Sequence, residues 1–385
     1  MAAVNNAGTP ALVVDEEQDD SRSEIGSSIA SSSTSLRDSI MDYRIENGRT
    51  YHRYKDGKYT VPNDEREMER LDLQDELWAI SLDFASGIAP PCKLDAEVGR
   101  VLDVGTGSGI WAIAYADEHP DAEVIGIDLS PTLPDYVPPN VKFEIDDVEE
   151  EWTWSRPFDY IHSRVMTGSI SDWDLYLRRC YEYVEFLSYV ILNVLSTRDD
   201  KVIECELTRC HSSNLTPGGW VELQELDIFT TSDDGTLKAD SATRRWSTLL
   251  TEATEKLGRP YIDPKDLVHN VTNAGFVDVS ITTYKWPLND WPKDEKYKQI
   301  GRLHYENSTT GLEGFTMAAL TRALDWSPEE VTVFLMEVRN EVKNRTIHGY
   351  TPTYCIIGRK PEKNDTPAPP APASPSAQPS APASS

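Results

Sequence analysis

Three acidic positions recur just beyond short apolar runs: Asp103 in RVLDV, Asp128 closing EVIGID, and Asp147, or in second place Asp146, after VKFEI. Between the first two lies Gly105-Thr106-Gly107-Ser108-Gly109, with Ile110 and Trp111 opening a helical pattern. Strand, glycine turn and helix in that order form the phosphate- or nucleoside-binding corner of a doubly wound sheet. A dinucleotide fingerprint requires a third glycine where Ile110 stands, and the Asp103 carboxylate ahead of the turn repels phosphates. A nicotinamide oxidoreductase would share the sheet but fits this turn poorly. The carboxylates suit a phosphate-free nucleoside carrying ammonium and sulfonium charge.

S-adenosylmethionine has that chemistry. Asp128 is positioned to take both ribose hydroxyls in a bidentate hydrogen bond, with Leu129 beside it. Asp147 or Asp146 accepts from the adenine amine, and Val148 lies against the ring. Gly105, Thr106, Gly107 and Gly109 form the turn, Asp103 faces the charged end, and Trp111 stands close to the cofactor. Methyl transfer from a sulfonium is a direct displacement with a good leaving group, so alignment and water exclusion matter more than a base. Where a base is needed, His162 beyond the fourth strand and His52 in the YHRY segment are the candidates. Trp152, Trp154 and Trp173 are candidates for an acceptor pocket or, on the plainer reading, for the core.

These residues need an alternating scaffold, and the chain supplies one. RVLDV, AEVIGID, VKFEI, FDYIHS and GWVELQE read as strands, separated by helical patterns such as GIWAIAYADEHP and DWDLYLRRCYE. Such alternation predicts right-handed crossovers and an α/β, doubly wound, mostly parallel sheet. Ahead of it, PNDEREMERLDLQDELWAISLDFASG predicts a helix started by Pro62-Asn63-Asp64 and stopped by Gly87. Behind it, ADSATRRWSTLLTEATEKLG, DEKYKQIGRLH, GLEGFTMAALTRALDW and SPEEVTVFLMEVRNEVKN predict further helices, with Ser327 and Glu330 forming a capping box. VDVSITTYKWPL and TPTYCIIGRK predict late strands.

Composition narrows the partners. Thirty-seven Lys and Arg stand against 65 Asp and Glu, a net charge of −28, which argues against direct nucleic-acid or anionic-membrane binding. No run approaches the roughly 18 to 20 apolar residues of a spanning helix, and the N-terminus has no secretory pattern, so an intracellular protein of cytoplasm or nucleus is expected. Five scattered cysteines predict neither disulfides nor a metal site; Cys205, Cys210 and His211 are the nearest approach to a ligand cluster. Residues 1–40, rich in Ser and acids, and 361–385, rich in Pro, Ala and Ser, predict disordered ends around a folded 41–360.

Several blocks are more specific than the glycine turn. IENGRTYHRYKDGKYTVPNDEREMERLDLQ, FDYIHSR, LTPGGWVELQE, GLEGFTMAALTRALDWSPEEV and NRTIHGYTPTYCIIGRKP resemble the LaeA-like methyltransferases of filamentous fungi, which belong to the class I S-adenosylmethionine-dependent superfamily. The resemblance covers most of 41–360. It implies a seven-stranded sheet, an N-terminal helical lid, added C-terminal helices, and a small-molecule or protein methyl acceptor. Some members act as tailoring enzymes; others control secondary metabolism, so a cofactor-binding regulator working through protein partners with little turnover is the alternative.

One stretch departs from that pattern. Relatives pass almost directly from DWDLYLRRCYE to LTPGGW, whereas here YVEFLSYVILNVLSTRDDKVIECELTRCHSS intervenes. Residues 183–213 read as a translated intron or as a lineage-specific insertion. Glu182-Tyr183-Val184, Leu207-Thr208 and Ser213 can be encoded by fungal splice and branch signals in the right order. A helix-to-strand connection lies at the amino edge of the sheet, away from the ligand edge.

Overall fold

The computed structural model describes residues 43–131, 134, 136–181, 214–362 and 365. The 1–40 stretch, the 183–213 segment with Cys205, Cys210 and His211, and the Pro/Ala/Ser tail apart from residues 361, 362 and 365 lie outside them.

The described chain opens with an antiparallel hairpin, β1 (Tyr43–Glu46) and β2 (Arg49–His52), followed by helix α1 (Glu65–Ser81). Asp64 starts α1 by accepting from the Glu67 amide at 3.1 Å, and the same carboxylate takes the Arg49 guanidinium, tying helix to hairpin. The sequence reading did not anticipate the hairpin. Its stop signal for the helix is also displaced. The helix ends at Ser81, where the hydroxyl accepts from the Trp286 indole and donates to Leu77, and Asp83 and Phe84 turn at positive φ. Gly87 serves another purpose: a side chain there would run into the buried Glu222 carboxylate, 2.7 Å from an added Cβ.

The alternation then appears as expected: β3 (Arg100–Val104), α2 (Ile110–Glu118), β4 (Glu123–Asp128), β5 (Val141–Ile145), β6 (Phe158–Arg164), α3 (Trp173–Tyr181), β7 (Leu215–Leu226), α4 (Ala242–Lys256), α5 (Leu267–Asn273), β8 (Val277–Pro287), α6 (Glu295–Ala323), α7 (Pro328–Lys343) and β9 (Tyr350–Arg359). Seven strands form one sheet in the order β5-β4-β3-β6-β7-β9-β8. The first five are parallel, and β9 runs antiparallel between β7 and β8. Alternate residues of each strand feed the two covered faces, as strand geometry requires. From β3, Leu102 and Val104 join one cluster with Ile125, Ile161, Trp173 and Leu177, whereas Val101 joins Trp111, Tyr115, Val124 and Tyr160 on the other. Trp152 and Trp173 are core residues, the plainer of the two sequence readings.

Two C-terminal helical patterns fuse into one. DEKYKQIGRLH and GLEGFTMAALTRA belong to the single 29-residue α6. The intervening Ser308 and Thr309 look like helix breakers, but both hydroxyls fold back onto carbonyls one turn earlier, Thr309 to Tyr305 at 2.7 Å. At Gly311 the Arg70 side chain of α1 packs close against α6, since an added Cβ would lie 2.9 Å from Arg70 Cδ. The Ser327–Glu330 capping box of α7 is present as read. The flanks of the 183–213 segment meet: Asn214 Nδ2 donates to the Arg179 carbonyl at 2.8 Å, and β7 starts against the amino end of β6.

Candidate functional site

Strand order reverses between β3 and β6, and a crevice opens there at the carboxyl ends of the strands. It holds a cavity of about 160 Å³ lined by Asp103, Asp128, Asp146 and Asp147 from the sheet and by Leu71 and Gln74 from α1. The glycine turn wraps its floor. Gly107 has φ +58°, a conformation strained for a side chain, and a Cβ there would lie 2.8 Å from Leu71 Cδ1, so the turn passes close beneath α1. Gly109, at φ +78°, caps α2 and sits against the Phe143 ring; it supports the turn without lining the cavity.

Each carboxylate is pinned by the backbone or by its neighbours. Asp128 accepts from the Gly107 amide at 3.0 Å and the Ser130 amide at 2.8 Å, and burial raises its pKa. The Gly107 N–H therefore points at a carboxylate, which leaves it unsuited to cradle phosphate. Asp103 receives Thr106 Oγ1 at 2.6 Å on one oxygen and lies 2.8 Å from His162 Nδ1 with the other. Carboxylate oxygens have about two acceptor sites each, so both aspartates retain capacity for a ligand. Asp147 is buried and engaged by Lys58, which also reaches Glu149 at 3.0 Å. Asp146 uses one oxygen on the Asp147 amide at 2.8 Å, and burial raises its pKa. Leu129, Val148, Gly105, Thr106 and Trp111 also line the cavity.

The two histidines separate. His162 is fully buried, stacks on Trp111 with centroids 3.6 Å apart, and lines the cavity with Nε2 unpartnered. His52 does not line it. Its Nε2 accepts from the Tyr59 amide at 3.2 Å and Nδ1 donates to the Tyr54 carbonyl at 2.6 Å, so neither nitrogen is left to take a proton from an acceptor. The YHRY segment instead shapes the turn that carries Lys58 and Tyr59 to the cavity.

Sequence reasoning missed the cationic and aromatic wall. Lys58, Arg70, Arg164 and Arg259 come from the strap before α1, from α1, from β6 and from the loop after α4. Arg70 pairs with Glu67 and reaches Asn307 at 2.8 Å; Arg164 pairs with Asp75 at 2.6 Å; Arg259 pairs with Glu149 at 2.7 Å. Burial would raise the Glu149 carboxyl, but Arg259, Ser171 and Lys58 outweigh it and hold it at about 2. Only the acidic first turn of α1, close to Arg66 and Arg70, hinted at paired charges.

The loop after β6 is held under strain. Val165 adopts φ +53°, unfavourable for a β-branched residue, and its amide donates to the Gln224 carbonyl at 2.7 Å. Glu225 on β7 anchors the next two residues, accepting from the Met166 amide at 2.9 Å, the Thr167 amide at 3.1 Å and the Thr167 hydroxyl. Burial pushes this carboxyl up to about 7. Among the described residues, no group of three His, Cys, Asp or Glu could hold a metal, and no helix is long and apolar enough to cross a membrane.

Strand-end carboxylates with spare acceptor capacity, a left-handed glycine turn at Gly107 and unpartnered Ser108 and His162 atoms at the cavity fit S-adenosylmethionine. A family model described as a methyltransferase domain matches residues 72–281. The fold and site thus define a class I S-adenosylmethionine-dependent methyltransferase. Methyltransferase pytC of Aspergillus terreus is 38% identical over 332 residues, covering 86% of this chain and 92% of the relative. The secondary metabolism regulator LAE1 of Cochliobolus heterostrophus is 34% identical, covering 83% and 95%. The probable methyltransferase tdiE of Emericella nidulans is 34% identical, covering 77% and 82%. The chain belongs to the LaeA-like methyltransferases.

Proposed function

We propose that this protein methylates an acceptor in fungal secondary metabolism, with Asp128 holding the ribose hydroxyls, Asp146 the adenine amine and Asp103 the ammonium group. The single observation that carries this reading is the convergence of three strand-end carboxylates on one cavity. Asp146 takes the adenine role over Asp147 because Lys58 already neutralises Asp147. The cofactor supplies a methyl group on a sulfonium centre. The protein's part is to align and to exclude water: α1 and the strap at 58–63 cover the crevice, with Tyr59 and Phe315 in its wall. His162 is a positioning residue, holding Asp103 from below while stacked on Trp111. Residues 41–360 act as one domain, and the 183–213 segment is dispensable to it.

The cofactor assignment is tested by calorimetry with S-adenosylhomocysteine and with NADH; binding of NADH alone would reverse it. A regulatory relative at 34% identity keeps a second reading in view, a cofactor-binding regulator with little turnover. Formation of S-adenosylhomocysteine with a metabolite acceptor separates the two: sustained turnover supports the enzyme, and binding without turnover supports the regulator.

A further inference from the structure

A second cavity, of about 180 Å³, adjoins the first. Tyr59, Val61, Gln74, Val165, Ser169 and Phe315 line both, so the two border each other along these side chains. The chamber is lined by buried apolar groups from α4, α6 and α7, among them Leu250, Leu312, Ala319 and Val338. Its volume slightly exceeds the roughly 150 Å³ of an apolar cavity that takes up a benzene ring.

Its polar content is small and nearly uncharged. Among the described residues no lysine or arginine lines it, and Asp227 is the one carboxylate. Asp227 accepts from the Tyr261 hydroxyl and the Phe229 amide, each at 2.8 Å, and burial raises its pKa. His304 lies 2.9 Å from the Thr351 hydroxyl, and burial lowers its imidazole to about 3, leaving it uncharged at neutral pH. Two lining groups are buried without partners: Gln74 Nε2, on the shared wall, and Thr230 Oγ1.

We propose that this chamber is the acceptor site and that it takes a neutral, mostly apolar small molecule whose hydrogen-bonding group meets the Gln74 amide at the shared wall. The inference rests on the methyltransferase reading and adds the substrate class. An anion would be buried without a cation, at a cost of several kcal/mol. A peptide brings an N–H and a C=O per residue, more than two unpartnered groups can satisfy. In the transfer, a lone pair on the acceptor forms the bond to the methyl carbon. The carbon–sulfur bond breaks with its electron pair passing to sulfur, and the proton of an acceptor hydroxyl passes to bulk solvent when the product leaves.

The test uses the full chain saturated with S-adenosylhomocysteine and two probes of matched shape, neutral 2-naphthol and anionic 2-naphthoate, titrated by calorimetry at pH 7. Expected are binding of 2-naphthol, at least tenfold weaker binding of 2-naphthoate, and no displacement of 2-naphthol by a capped tripeptide in tenfold excess. Filling the chamber with Ala319→Phe, or from its less buried side with Thr254→Trp, should weaken 2-naphthol at least tenfold while S-adenosylhomocysteine affinity stays within twofold. A folded variant is recognised by that retained affinity. Equal or tighter binding of 2-naphthoate, displacement by the tripeptide, indifference of 2-naphthol to both substitutions, or no 2-naphthol binding by a chain that binds S-adenosylhomocysteine overturns the inference and leaves the methyltransferase reading standing. Failure of the wild-type chain to bind S-adenosylhomocysteine removes the reading itself.

Discussion

The two cavities share a wall and follow opposite designs. In the cofactor crevice every charged group has a partner: Asp128 on backbone amides, Asp103 on His162 and Thr106, Asp147 on Lys58, Glu149 on Arg259. In the adjoining chamber charge is nearly absent, and the polar atoms left without partners are neutral. A site for a constant, charged ligand is built from fixed dipoles and ion pairs, which repay the desolvation they cost only when geometry is maintained. A site for a variable neutral ligand needs volume, apolar surface and a few uncommitted donors. The strained loop after β6 borders both.

The sharpest way to break the comparison is to remove Asp128. Two charge-assisted bonds at roughly 1.5 to 3 kcal/mol each give an expected loss of at least about 100-fold in S-adenosylhomocysteine affinity for Asp128→Ala, read by calorimetry. Unchanged affinity would transfer the ribose contact to another residue and undo the polar half of the contrast.

Glu225 sharpens it from behind the loop after β6, which it anchors. Its folded pKa of about 7 lies above the usual carboxyl value, so protonation favours the folded state. Its contribution is complete below the unfolded pKa and is lost as pH rises through about 7, a span of about 3 kcal/mol. In Glu225→Gln that slope between pH 4.5 and 7 should vanish from urea unfolding curves taken across pH. A slope identical to wild type would assign the pH dependence to other groups.

The flanks of the 183–213 segment give a control remote from both cavities. Replacing residues 182–213 by a four-residue linker shortens the loop by about three doublings, worth about 2 kcal/mol of stability at about 0.6 kcal/mol each, with S-adenosylhomocysteine affinity within twofold. Weakened binding would mean that the segment reaches the site. The smallest effect is expected at the chamber side. Ser327→Ala removes the capping box of α7, and chemical denaturation should register about 1 kcal/mol with cofactor affinity unaltered.

Local pattern made much of the crevice legible. Asp103, Asp128 and the Asp146-Asp147 pair lie at or just beyond strand ends because alternating burial and turn residues place those ends, and the glycine turn marks its own corner. At Gly87 spacing misled because a distant contact intervened, since it answers to Glu222 rather than to the end of α1; Ser308 and Thr309 are accommodated in α6 with their hydroxyls bonded back one turn. His52 resembled a base because its YHRY segment precedes the helix that covers the crevice, but two backbone groups occupy its ring.

The sequence alone determined the alternating, mostly parallel scaffold, the glycine turn and the acids at its strand ends, since these follow from patterns a few residues long repeated along the chain. Only the tertiary structure decided the second chamber, the cations of the crevice and the ion pairs of Asp147 and Glu149. Those depend on side chains far apart along the chain, such as Gln74 and Leu312 or Arg70 and Asn307. No local pattern encodes that proximity; it appears when α1 and α6 bury their faces together.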